Sequence, residues 1–247
     1  MTRIMCIANQ KGGVGKTTTA INLSDALAKS GSNTLLIDLD PQCNATSGLG
    51  QSPSQRHPLI SSEPISQAIR RTDNPRLAIL PGSRSFQDID ELASGPESHR
   101  QRLQQHIASI KRDFDFILID CPPSLGALTR AALSSADEVV MPIQCEYFAM
   151  EGLTQMIEVI REVMEKRKGS LQFGGILLTM YDSTLELTRE VDREVRDFFG
   201  EIVFEHVIPR DVAVAESVSH GRSVIDYAPR SRGGRAYIEL CMEVLQG

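Results

Sequence analysis

The densest chemistry in this chain lies in Gln10-Lys11-Gly12-Gly13-Val14-Gly15-Lys16-Thr17-Thr18. Glycines at 12, 13 and 15 let the backbone wrap so that successive N–H groups point inward, which is how a turn grips phosphate oxygens. A helix starting at the end of such a turn adds the positive end of its dipole. In the pattern G-x-x-x-x-G-K-[ST] the lysine, here Lys16, reaches the β- and γ-phosphates, and the next hydroxyl, here Thr17, takes one position on Mg²⁺. Gly12, Gly13, Val14, Gly15 and Thr18 complete the cradle. The loop departs from the pattern at its start. Gln10 stands where the first glycine belongs, and a second lysine, Lys11, follows it.

Phosphoryl transfer asks side chains mainly for positioning and charge stabilisation, so even a poorly basic carboxylate suffices. Asp38 and Asp40 close the run Thr34-Leu35-Leu36-Ile37-Asp38-Leu39-Asp40, and Asp120 closes Phe114-Asp115-Phe116-Ile117-Leu118-Ile119-Asp120. Strand alternation places Asp38 and Asp40 on one face, provided the strand runs past Leu39. One would help hold Mg²⁺ while the other orients the attacking water. We assign the water to Asp40 and the support to Asp38. Asp120 has the setting of the acid that binds Mg²⁺ through water.

These groups need elements to present them. Ile4-Met5-Cys6-Ile7-Ala8 reads as a strand, and residues 19–28 read as a helix, so the loop sits in the strand–turn–helix context that makes it a credible site. The near-continuous apolar runs at 34–40 and 114–120 fit parallel strands covered on both faces. Further strands are predicted at 77–80, 138–143, 175–180 and 202–208. Helices are predicted at 98–112, from Ser124 through Leu133, at 147–166, 185–199, 211–218 and 234–246. The basic run Lys166-Arg167-Lys168 suits a helix C-terminus. Residues 41–64, rich in Gly, Ser, Pro, Gln and Asn, read as a long loop with room for a helical turn. Strands alternating with helices predict an α/β fold: one doubly wound domain over residues 1–247, with a mostly parallel sheet flanked by helices on both faces. Ligands of such sheets bind outside the carboxyl ends of the strands, where the loop, the three acids and Pro209-Arg210-Asp211 all fall.

Composition narrows the class. A net charge of −6 argues against a globally basic nucleic-acid binder and leaves room for a local patch. Five scattered cysteines without a C-x-x-C pair suggest reduced thiols and a cytosolic location. Met1-Thr2-Arg3 runs straight into the first strand, which leaves no space for a signal peptide. No apolar run approaches the ~18 residues of a membrane span. The five histidines lack metal-ligand spacing.

Four blocks strongly resemble the ParA partition ATPases, members of the deviant-Walker-A group that includes MinD. They are residues 11–18, Asp38-Leu39-Asp40-Pro41-Gln42, Asp120-Cys121-Pro122-Pro123-Ser124 and Val207-Ile208-Pro209-Arg210. Glu146-Tyr147-Phe148-Ala149-Met150-Glu151-Gly152, Thr179-Met180-Tyr181-Asp182, residues 216–221 and residues 229–233 are similar to blocks of the short Soj-like branch. The resemblance covers essentially the whole chain and is thinnest across residues 50–112. It implies a SIMIBI-type P-loop NTPase that hydrolyses ATP slowly with Mg²⁺. It also implies an ATP-sandwich homodimer in which Lys11 reaches the partner's phosphates, a role akin to an arginine finger. Met180, Pro209 and Asp211 would lie near the adenine, although the family more often has Asn at the position of Asp211. The implied work is chromosome or plasmid partition, with an ATP dimer on non-specific DNA, an ADP or nucleotide-free monomer, and a ParB-like stimulating partner. That places the protein in the cytoplasm, associated with the nucleoid.

Non-specific DNA binding is a job for phosphate-contacting Lys and Arg. Arg189, Arg193 and Arg196 share a helix face, and Arg222, Arg230, Arg232 and Arg235 cluster near the end. The acids Glu190, Asp192, Glu194 and Asp197 interleave with the first group, so a solvated, salt-bridged face fits it as well. Thr184 and Ala213 stand where Soj-like relatives usually carry arginines. A paralogue that positions a protein cargo, such as an organelle or a chemotaxis cluster, is the alternative. A MinD-like membrane regulator would end in a basic amphipathic helix, whereas residues 237–247 are acidic and look core-facing. An iron protein of the reductase type would need paired cysteines, and the sequence offers Cys121 no clear partner. The chain carries no helix-turn-helix extension ahead of the first strand.

Overall fold

The computed structural model describes residues 2–55, 57–61, 63–88, 98–147, 149–166 and 171–247. Phe148 and the Arg167-Lys168 pair of the basic run lie outside the described residues. The strands are β1 (Arg3–Ile7), β2 (Thr34–Asp38), β3 (Arg70–Arg71), β4 (Leu77–Leu80), β5 (Phe116–Asp120), β6 (Glu138–Gln144) and β7 (Gln172–Thr179). They form one sheet in the order β3-β4-β2-β5-β1-β6-β7. Only the two-residue β3 at the edge runs antiparallel among these pairs. The helices are α1 (Lys16–Lys29), α2 (Asn44–Gly48), α3 (Ile65–Ala68), α4 (Ser98–Ile110), α5 (Ala127–Ser135), α6 (Ala149–Lys166), α7 (Glu186–Phe199), α8 (Val212–Ser219), α9 (Val224–Tyr227) and α10 (Arg232–Gln246).

Alternate residues of the central strands feed two apolar layers. Cys6, Leu35, Ile37, Ile117 and Ile119 pack under α4, α5, α6 and α7 through Leu103, Leu133, Met156, Ile160 and Val195. Met5, Ile7, Leu36 and Leu118 pack under α1, α9 and α10 through Ile21, Leu27, Ile225, Tyr237 and Leu240. Strands buried on both faces leave no polar alternation, which is why they read as unbroken apolar runs. The doubly wound α/β architecture predicted from the sequence is the one observed.

Two local expectations are corrected. The stretch 202–208 is not a strand of the sheet. Phe204 N and Ile208 N donate to Ile176 O and Leu178 O of β7 (3.0 and 2.8 Å). Between them, Glu205 N and His206 N turn instead to the Glu243 carboxylate of α10 (2.7 and 3.2 Å), which interrupts the ladder. Second, β2 ends at Asp38, so strand alternation does not place Asp40. A side-chain turn does, with Asp40 N donating to Asp38 Oδ1 at 3.1 Å. The loop after Pro41 contains its helical turn as α2, whose residue Thr46 is fully buried.

Candidate functional site

The glycine-rich loop joins β1 to α1 at the carboxyl edge of the sheet. Gly13 and Gly15 adopt φ of +75° and +87°, a left-handed backbone that side-chain-bearing residues rarely adopt. Two side chains fasten the loop to neighbouring strands. Asn9 Oδ1 accepts from Lys11 N (3.0 Å) while Asn9 Nδ2 donates to Pro142 O (2.8 Å). Thr179 Oγ1, at the end of β7, lies 2.9 Å from Val14 O and 3.0 Å from Ile143 O. The loop is therefore tied to β6 and β7 as well as to β1.

The two lysines have different surroundings. Lys16 is buried, and its Nζ donates to Lys11 O across the loop at 2.8 Å. Burial lowers its pKa, and the charges of Asp120, Cys121 and Asp40 act the other way. Lys11 Nζ instead pairs with Glu146 Oε2 at 2.6 Å, with 37% and 44% of the two side chains exposed. A pair that wet is worth about 0–1 kcal/mol, so it holds Lys11 only lightly.

The acids stand at the ends of β2 and β5, where Asp38 and Asp120 are register partners. Both oxygens of Asp38 are engaged: Oδ1 accepts from Asp40 N, and Oδ2 accepts from Thr46 N (2.8 Å) and Thr46 Oγ1 (2.6 Å). Burial pushes its pKa up to about 6 against the pull of those hydrogen bonds. Asp120 is fully buried and neither oxygen has a hydrogen-bond partner among the described residues. Burial, reinforced by the Asp38 charge, raises its pKa well above the ordinary carboxylate range. The nearby Thr17 hydroxyl and Lys16 ammonium offset part of that rise. Asp40 is buried, and its Oδ1 accepts from Gln42 N at 2.8 Å.

A buried carboxylate with both oxygens unmet is costly unless a ligand meets it. Its place beside Thr17 and Lys16 suits a hydrated Mg²⁺ carried in with phosphates, a cation that usually keeps several waters and takes one or two protein ligands. In line with that, no group of three or more His, Cys, Asp or Glu that could cage a metal ion occurs among the described residues.

A family model described as an AAA domain matches residues 2–173. Sporulation initiation inhibitor protein Soj of Bacillus subtilis is 41% identical over 249 residues, covering 99% of this chain and 98% of Soj. Chromosome partitioning protein ParA of Caulobacter vibrioides is 42% identical over 251 residues, covering 98% of this chain and 94% of that protein. The chain belongs to the ParA/MinD ATPase superfamily. Among solved structures, cobyrinic acid a,c-diamide synthase from Mycobacterium smegmatis, with a bound ATP analogue and magnesium, superposes with a TM-score of 0.87. It is 33% identical, and the match covers 100% of this chain and 95% of that one.

In this ParA/MinD-type chain Met180 follows Thr179, which holds the loop, and Pro209 and Asp211 lie on the segment paired to the end of β7. Met180 takes a left-handed φ of +50° directly after Thr179, and Tyr181 bridges to Pro209. The Asp211 carboxylate caps α8 through Ala213 N (3.0 Å) and holds Gly233 N of α10 (2.8 Å), so its oxygens serve backbone amides.

The basic residues separate into two groups. Arg222, Arg230, Arg232 and Arg235 are exposed, as is Arg210. Arg232 Nη2 donates to Arg210 O and Arg235 Nη2 to Arg230 O, which draws Arg210, Arg230, Arg232 and Arg235 together at the start of α10. Arg189 and Arg193 are exposed on α7, with Glu190, Glu194 and Asp197 beside Arg193. Arg196 pairs with Asp192 at 2.7 Å. Sequence reasoning passed over Asn9, Thr46, Gly82 and the Lys11–Glu146 pair, all of which act through contacts distant in sequence. It also found no partner for Cys121, whose Sγ lies 3.3 Å from Cys6 Sγ on β1. No helix among the described residues is long and apolar enough to cross a membrane.

Proposed function

We propose that this chain is a partition ATPase that moves chromosomal or plasmid DNA, with residues 1–247 acting as one ATPase domain. It cycles between an ATP-bound sandwich dimer on non-specific DNA and an ADP-bound or nucleotide-free monomer, in the cytoplasm and on the nucleoid. A ParB-like partner stimulates its slow hydrolysis. The observation that carries the reading is the pair of lysines in one loop: Lys16 turned inward and buried, Lys11 at the rim on a weak ion pair. One lysine serves the nucleotide of its own chain, and the other is free to serve a partner's.

Residues 12–18 would cradle the phosphates of ATP, with Lys16 on the β- and γ-phosphates. Thr17 and Asp120 would hold Mg²⁺, Asp120 through water. When bound, Mg²⁺ neutralises charge on the phosphate oxygens. Asp40 orients a water for attack on the γ-phosphorus, and the products are ADP and phosphate. Lys11 of each protomer stabilises the charge developing on its partner's γ-phosphate. Met180 and Pro209 would flank the base. Asp211 keeps the wall in place through its two backbone amides.

For DNA, the exposed cluster Arg210, Arg230, Arg232 and Arg235, with Arg222, supplies phosphate contacts that Thr184 and Ala213 cannot. Arg189 and Arg193 would add to it from α7. Those same two replacements favour the second reading, a related ATPase that positions a protein cargo. Retention of the protein on random duplex DNA, with ATP and without, over a salt series separates the two. Partition predicts ATP-dependent retention that weakens steeply with salt. No retention, or a flat salt response, favours the cargo reading.

A further inference from the structure

Thr46 occupies the middle of a closed polar clamp. Its hydroxyl donates to Asp38 Oδ2 at 2.6 Å and accepts from Gly82 N at 2.8 Å. Because the Gly82 amide can only donate, the direction of the Thr46 proton is fixed toward Asp38. Thr46 N adds a second bond to the same Oδ2 at 2.8 Å. The other oxygen, Oδ1, holds Asp40 N at 3.1 Å. One carboxylate thus closes the segment 40–46 from both ends.

Packing leaves the clamp little freedom. Asp38 and Thr46 are both fully buried. A Cβ added at Gly82 would lie 2.9 Å from Asp38 Cγ, so this glycine backs directly onto the carboxylate. Between Asp40 and α2 the chain passes through Cys43 at φ +56°, a left-handed conformation for a non-glycine residue. Strain of that kind persists where surrounding structure over-determines it, and the clamp is the structure that does so.

We propose that Thr46 is a positioning residue for hydrolysis: it locks Asp38 so that the segment carrying Asp40 is held in register with the phosphate loop. Asp38 is committed to this clamp through both of its oxygens. The proposal rests on the reading above that Asp40 orients the attacking water.

The test compares Thr46→Val, which keeps the shape and removes the hydroxyl, with Thr46→Ser, which keeps the hydroxyl. Amide hydrogen exchange across residues 40–46, Mg²⁺-dependent binding of a fluorescent ATP analogue, and steady-state hydrolysis are measured for each. Thr46→Val should speed exchange in that segment and lower kcat about 10- to 100-fold, with KM and analogue affinity within about threefold. Thr46→Ser should restore most of the turnover. Unaltered exchange or unaltered turnover in Thr46→Val overturns the proposal. So does a Thr46→Ser variant as slow as Thr46→Val. If Thr46→Val does not fold, Thr46→Ala carries the same comparison. Wild-type protein that binds the analogue and hydrolyses no ATP overturns the underlying ATPase reading, an outcome distinct from normal wild-type turnover with an indifferent Thr46 variant.

Discussion

The ends of β2 and β5 present the same residue type at paired positions, Asp38 and Asp120, and both side chains are fully buried. Their oxygens meet different surroundings. Asp38 accepts three hydrogen bonds from its own chain, and Asp120 accepts none among the described residues. Burial penalises both charges, and among the described residues nothing meets the oxygens of Asp120. Another buried acid follows the Asp38 pattern: Asp25, on α1, accepts from Ser223 Oγ (2.6 Å) and Asn74 Nδ2 (2.8 Å) and ties α1 to its neighbours. Buried aspartates in this fold therefore divide by satisfaction rather than by depth.

Substitutions can break that division or sharpen it. The largest effect is expected on the clamped side, at Asp40. Asp40→Ala should bind ATP and dimerise, yet turn over about 10²- to 10⁴-fold more slowly, as when a group that activates water is lost. Single-turnover hydrolysis checks this, and unchanged turnover would remove Asp40 from the mechanism. Next comes the open side. Asp120→Asn should weaken Mg²⁺-dependent binding of an ATP analogue about 10- to 100-fold, the range for a residue acting on a metal through its outer shell. A magnesium titration that matches wild type would end the contrast between the two strand ends.

A smaller effect tests whether an unmet buried atom always marks a ligand site. His57 Nε2 is also buried without a hydrogen-bond partner among the described residues, while its Nδ1 accepts from Leu59 N (3.2 Å). Its ring packs edge-on to Phe86. Burial drives its pKa from 6.5 down to about 3. The folded state then binds fewer protons than the unfolded state between those values, so His57 costs stability as pH falls below 6.5. The cost grows by about 1.4 kcal/mol per pH unit. Urea unfolding of wild type and His57→Asn should therefore converge or cross between pH 7 and pH 5. Parallel pH dependences would show that His57 is not held neutral. Smallest of all is the rim pair. Glu146→Gln should change unfolding free energy by less than about 1 kcal/mol in chemical denaturation, as expected of an exposed ion pair.

Much of this was legible in the residues. The phosphate loop, the acidic strand ends and the alternating strands and helices are local patterns, carried by glycine placement and by apolar runs that two-sided burial demands. Less legible were features decided by partners far along the chain. The segment 203–208 has strand-like residues, and the Glu243 carboxylate on α10 captured the amides that a ladder needed. Whether the strand runs past Leu39 is decided by the Asx turn at Asp38, which ends it before Asp40. Thr46 looked like loop composition until Gly82, 36 residues on, supplied the other half of its hydrogen bonding. Cys121 found Cys6 only once β1 and β5 lay side by side.

The central claim is that the loop at residues 11–18 is a Mg²⁺-dependent ATP site with Lys16 at its heart. Titration of a fluorescent ATP analogue into wild type and Lys16→Ala, each with and without Mg²⁺, tests it most directly. The account predicts saturable, Mg²⁺-dependent binding to wild type and no measurable binding to Lys16→Ala, with circular dichroism showing both folded. Equal affinity in the two proteins would contradict it.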